Sequence, residues 1–168
     1  MLSRLLRPRY GAAIAVACMA LAALPAVAAA DDQAVSVSNC SLSQDGETTV
    51  QAGNSVILQW SWGARTKGLV IAAVKAIEQT VTVDDADVAD VDSYWGSPVP
   101  VNDPTYGSVW IATWSYQAGV LADPGDTMDV TVDGVLTHPI VDLVLFDGNR
   151  PMLFGPLDFV WDCEITAV

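Results

Sequence analysis

Ser55-Val56-Ile57-Leu58-Gln59-Trp60-Ser61-Trp62 is the stretch on which the fold turns. Val56, Leu58, Trp60 and Trp62 fall on one side of an extended chain, Gln59 and Ser61 on the other. Two-residue alternation with β-branched and aromatic content marks a strand with one face in a core. Gly53-Asn54 supplies the turn that leads into it.

Working outward, the same period recurs. Val109–Tyr116 carries Trp110, Ala112, Trp114 and Tyr116 on one face and Val109, Ile111, Thr113 and Ser115 on the other. Both faces are partly apolar, so alternation alone does not choose the inward one. Thr127–Val132 directs Met128, Val130 and Val132 inward, and Phe159–Thr166 aligns Phe159, Trp161, Cys163 and Ile165. Shorter strands are predicted near Asp31–Asn39, Thr48–Gln51 and Thr80–Val83. Asp133-Gly134 sits between two β-like runs and reads as a hairpin turn. Val135–Phe146 follows as a strand interrupted by Pro139. Residues 84–108, rich in Asp, Pro, Gly and Ser, read as loop. Gly68–Ile77 breaks the period: Leu69, Val70, Ala73, Val74 and Ile77 share a helical face.

Roughly seven to nine short strands separated by turn signals predict an all-β chain. The expected architecture is an antiparallel two-sheet β-sandwich with one short helix near 68–77. It resembles immunoglobulin-like domains in its Trp-bearing strand and paired cysteines. The cysteines depart from that pattern by lying at the two ends of the chain, so the likeness extends to architecture alone.

The chain has 168 residues, with 20 acidic and 7 basic side chains and one histidine. Arg4, Arg7 and Arg9 open it, and Gly11–Val27 is an apolar run ending in Pro25 and small residues through Ala30. That is the layout of a secretory signal peptide over 1–30, cleaved before Asp31. A single domain is expected over 31–168. The mature part then holds four basic residues against twenty acids, a net charge of −16. Such a surface repels nucleic-acid phosphates and anionic lipid, so neither nucleic acid nor stable membrane insertion after cleavage is expected. Seventeen of the acids are Asp, which favours turns over helices. Bacterial export to an extracellular location is the expected address.

Two cysteines, Cys40 and Cys163, remain after cleavage. In an oxidising compartment an even count predicts one disulfide.

Three function classes are weighed. The first is a secreted, non-catalytic binding or adhesion module for a protein or glycan. Its candidate contacts are Tyr94, Trp95, Tyr106, Trp110 and Trp114, because flat aromatic faces stack on sugar rings and other apolar ligands. The second is a structural cell-envelope or extracellular domain without a small ligand. The third is a small secreted hydrolase using carboxylates or His138, the one imidazole. It lacks a Gly-x-Ser-x-Gly elbow, and a local structural role for His138 is expected. No cofactor is required. Calcium is the one candidate: Asp84, Asp85, Asp87, Asp90 and Asp92 fall within nine residues and resemble a hard-cation donor set, though the spacing is not that of an EF-hand. The alternative for that run is a solvated acidic edge.

Overall fold

The structure, a computed structural model, describes residues 32–104, 107–142, 152–154 and 156–168. The candidate signal peptide and Tyr106 lie outside the described residues, as do residues 143–146 of the strand expected over Val135–Phe146.

Two sheets pack face to face. The first has the order β1 (Asp32–Ser36), β3 (Ser55–Ala64), β7 (Gly107–Val120), β6 (Val99–Asp103). The second has the order β2 (Glu47–Val50), β11 (Leu157–Ala167), β8 (Thr127–Leu136), β4 (Ile77–Val83), β5 (Ala86–Asp87). A separate two-stranded pair joins β9 (Ile140–Asp142) to β10 (Met152–Phe154). The expected β-sandwich is what the chain adopts. The pairing is not antiparallel throughout: β1 runs parallel to β3 and β2 parallel to β11.

Val56, Leu58 and Trp60 of β3 are buried as their alternation requires. Register decides the inward face of β7. Trp60 pairs with Trp114, Leu58 with Tyr116 and Trp62 with Ala112. Directly paired residues share a face, so Trp114 and Tyr116 point into the sandwich beside Trp60. Trp114 is completely buried. The second sheet answers with Val81, Val130, Val132, Leu136, Trp161 and Ile165.

Between β3 and β4 runs helix α2 (Lys67–Ala76), preceded in the chain by a short helix α1 (Val37–Ser41). Thr66 caps α2 by accepting a hydrogen bond from the Leu69 N–H at 3.3 Å. Val70, Ala73 and Ala76 are its buried stripe, close to the predicted helix.

Four local expectations are corrected. The strand expected over Asp31–Asn39 stops at Ser36, and Val37 to Ser41 coil so that Val37 and Cys40 reach the core. The segment 84–108 contains β5, a 3-10 turn (Val91–Tyr94) and β6. Pro100 is tolerated in β6 because that strand is an edge. The predicted hairpin at Asp133-Gly134 does not form: β8 runs straight through both residues. Gly134 is placed there by its partner, since Phe159 is directly opposite and lays its ring over the missing side chain. The strand predicted from Val135 onward is accordingly the end of β8 followed, past Pro139, by β9.

The two sides of the sandwich close differently. On one side Gln33 of β1 spans to the second sheet, accepting from the Gln51 N–H at 2.9 Å and donating to the Thr49 carbonyl at 3.4 Å. There the disulfide Cys40–Cys163 ties α1 to β11, with Cα atoms 5.5 Å apart. On the other side a strap of residues 84–98 crosses from the β4–β5 edge to the β6 edge.

Candidate functional site

The strap explains the acid run. Asp84, Asp85, Asp87, Asp90 and Asp92 are all exposed. Val88, Val91, Tyr94 and Trp95 are partly buried and pack against the core. The segment is amphipathic across its width, with acids in water and apolar side chains sealing the sheets.

Several acids also shape the backbone. Asp84 and Asp85 form the two-residue connection of the β4–β5 hairpin, with φ of 50° and 63°. A type I′ turn requires both φ values positive, and Asp tolerates that region better than most side chains. Asp84 Oδ1 also accepts the Asp129 N–H at 2.9 Å. Asp90 is left-handed too, at φ 51°, where the chain bends into the 3-10 turn. Among the described residues no group of three or more His, Cys, Asp or Glu is arranged to hold a metal ion. Asp85→Gly is expected to stabilise the protein by about 1 kcal/mol, since glycine carries no left-handed penalty. A thermal melt showing a lower midpoint would contradict the turn assignment.

Of the five aromatic candidates, the structure brings three together. The Tyr94 ring centroid lies 5.9 Å from that of Trp114 and 5.0 Å from that of Tyr116, both edge-on. Trp95 forms an isolated bridge with Trp114 and stands edge-on to Trp60 at 4.6 Å. Tyr94, Trp95 and Tyr116 are each partly exposed; Trp114 has no surface to offer and acts as the floor. Its indole N–H donates to the Val91 carbonyl at 2.7 Å, fastening the strap. The Gly96 N–H to the Thr113 carbonyl, and the Val88 N–H to the Val81 carbonyl, add two backbone bonds of 2.8 Å. Trp114→Phe keeps an aromatic ring, removes that donor and leaves a small cavity. The expected loss is about 1–2 kcal/mol, seen in the chemical-denaturation midpoint, because the buried carbonyl is left with one partner fewer.

Trp110 is separate. It packs against Ala64, Val70 and Ala112, a cluster that Trp95 also touches, with Lys67 Nζ 5.7 Å from its ring centroid.

Sequence reasoning missed the inner wall of this site. Trp60 meets Trp161 at 5.1 Å and Phe159 at 5.9 Å, in both cases edge-on. Gln79 pairs with Gly134, which pairs in turn with Phe159. In Ile77-Glu78-Gln79-Thr80-Val81 the glutamine occupies an inward slot between two core residues, a placement that only the structure reveals. Its carboxamide oxygen and nitrogen are buried without a hydrogen-bond partner, as are the indole N–H groups of Trp60 and Trp95.

His138 takes a local role. Its Nδ1 lies 2.7 Å from Thr137 Oγ1, and that hydroxyl donates to the Ala76 carbonyl at 2.9 Å. The chain of bonds secures the C-terminal end of α2 to the residue following β8.

Charge is unevenly distributed. Among the described residues every Lys and Arg lies between Arg65 and Lys75, at the end of β3 and on α2. The strap is acidic outside and uncharged within. Among the described residues no helix is long and apolar enough to cross a membrane.

No protein-family model matches the chain, and no curated protein matches its sequence.

Proposed function

We propose that the chain is an exported, non-catalytic recognition module that binds a neutral glycan at the strap. The observation that carries this reading is the convergence of Tyr94, Trp95 and Tyr116 over the buried Trp114, giving partly exposed aromatic rings on a firm floor. Flat aromatic faces offer the apolar C–H faces of a sugar a contact that costs little side-chain entropy. The acidic surface disfavours anionic ligands, and the uncharged inner side of the strap suits a neutral polymer. The leader over 1–30 and the single disulfide support export through an oxidising compartment.

The test is retention of mature protein on immobilised cellulose, chitin, mannan and xylan. Wild type is expected to be retained by at least one, and Tyr94→Ala and Tyr116→Ala to bind about tenfold more weakly. Failure of wild type on all four, or equal retention of both variants, would reject the reading.

A further inference from the structure

Beneath the strap lies a group of atoms that the rim aromatics do not account for. Trp60 is 4% exposed and Gln79 8% exposed, yet the Trp60 indole N–H and both carboxamide atoms of Gln79 have no hydrogen-bond partner. The Trp95 indole N–H is in the same condition. Native proteins pair nearly all such atoms, and each exception asks for an explanation.

Trp60 and Trp95 touch directly, and Gln79 is linked to them through Gly134 and Phe159. Trp60 and Trp95 are in edge contact at 4.6 Å. Phe159 is 5.9 Å from Trp60 and folds over Gly134, the direct cross-strand neighbour of Gln79. Three elements therefore converge: β3 gives Trp60, β4 gives Gln79 and the strap gives Trp95. Phe159 and Trp161 complete an aromatic wall, their centroids 4.6 Å apart.

The donor inventory narrows the ligand. An indole N–H only donates, whereas a carboxamide both donates and accepts. A matching ligand supplies several oxygens able to accept, at least one hydroxyl able to donate, and apolar C–H surface for the rings. No charged side chain is among these five residues, so a charged ligand would be desolvated without compensation. A neutral polyhydroxylated ring meets every condition.

We propose that Gln79, Trp60 and Trp95 form an inner subsite for one neutral pyranose unit, reached when Trp95 moves outward with the strap. The subsite rests on the glycan reading above and adds to it the residues that hold a single sugar ring. Trp95 is the movable member: it is partly exposed and belongs to the strap, whose neighbouring left-handed Asp84, Asp85 and Asp90 are turn points.

The experiment uses mature, disulfide-intact protein labelled for indole 1H–15N spectra. The probes are methyl β-glucoside, methyl α-mannoside and N-acetylglucosamine at millimolar concentration. At least one is expected to shift the Trp60 and Trp95 indole resonances. Trp60→Phe, which keeps a ring and removes the N–H, is expected to weaken that response about tenfold. Gln79→Met, close in shape, is expected to abolish it and to raise the melting temperature of the free protein, because an unpartnered amide has been removed. Three results would overturn the subsite. One is no Trp60 shift with any probe; another is an unchanged response in Trp60→Phe. The third is a lowered melting temperature in Gln79→Met, which would mark the amide as part of the fold with buried water as its only partner. Polysaccharide retention that survives Gln79→Met but fails in Tyr94→Ala would reject the inner subsite and spare the rim. Loss of both retention and shifts in wild type would reject the two together.

Discussion

Gly134→Ala is expected to lower the melting temperature of the protein by about 9 °C, corresponding to about 3 kcal/mol for a domain of this size. Alanine is normally preferred to glycine inside a strand, so the direction itself is informative. A Cβ at this position would lie 2.6 Å from Phe159 Cε2 and 2.9 Å from Cε1, with Cζ nearer still. Real Cβ atoms do not approach carbon so closely, and something must give. The ring is not free to retreat, because it packs against Trp161 at 4.6 Å and Trp60 at 5.9 Å. Overpacking of a settled core typically costs 1–3 kcal/mol, and this site falls at the upper end because Trp161 on the ring's own strand and Trp60 on the opposite sheet resist the shift. Phe159→Leu introduced into Gly134→Ala recovers part of the loss, so the two changes are coupled in a double-mutant cycle. Strict additivity, or a stable Gly134→Ala protein, would show that the ring does not lie over the glycine.

The second large effect concerns the clasp. Cys40 and Cys163 are separated by 123 residues and bonded. Replacing both by serine releases nearly the whole mature chain from a single closed loop. The chain-entropy estimate for a loop of this length is about 5 kcal/mol, and native disulfides commonly deliver 2–5 kcal/mol. Cys40 and Cys163 are both buried, so the serine hydroxyls add a desolvation cost. The double variant, or wild type after reduction, is expected to lose about 4 kcal/mol in guanidinium titration, with a steeper slope because the released unfolded chain exposes more surface. A loss below about 1 kcal/mol would mean that α1 holds its place on β11 without the bond. Titration of unreduced, denatured mature protein should find no free thiol.

Much of the fold was legible because its decisive elements are governed by near neighbours. In β3 the alternation of Val56, Leu58 and Trp60 is enough to specify a half-buried strand. In α2 the cap at Thr66 and the stripe through Val70 and Ala73 reinforce each other. What stayed hidden depends on distant partners. Asp133-Gly134 carries the local chemistry of a turn, but Phe159 needs that glycine as a seat, and a contact across 25 residues overrides the dipeptide. Likewise, β6 buries little and contains Pro100, so it shows no period; only its pairing with β7 makes it a strand. The parallel pairing of β1 with β3 and of β2 with β11 leaves no local trace at all.

The site was half legible for the same reason. Tyr94, Trp95 and Trp114 could be nominated as aromatics, but their association depends on how the strap crosses the open side of the sandwich. The five acids suggested a cation loop because they cluster in sequence. In space they form the outer surface of that strap, and Val88 and Val91 on its inner surface are what bind it to the protein. Gln79 escaped notice because one polar residue in a strand carries no signal until its face is known.

The account depends on the strap being a cover that opens independently of the sandwich beneath it. Residue-resolved native-state hydrogen exchange of the mature protein tests this most directly. The Val88 and Gly96 amides, bonded to Val81 and Thr113, should exchange through an opening well below the global unfolding free energy. Amides in the β8–β11 ladder should exchange only by global unfolding, and a bound neutral glycan should slow the two strap amides selectively. Strap amides protected to the global limit, or β8–β11 amides exchanging before them, would contradict the account.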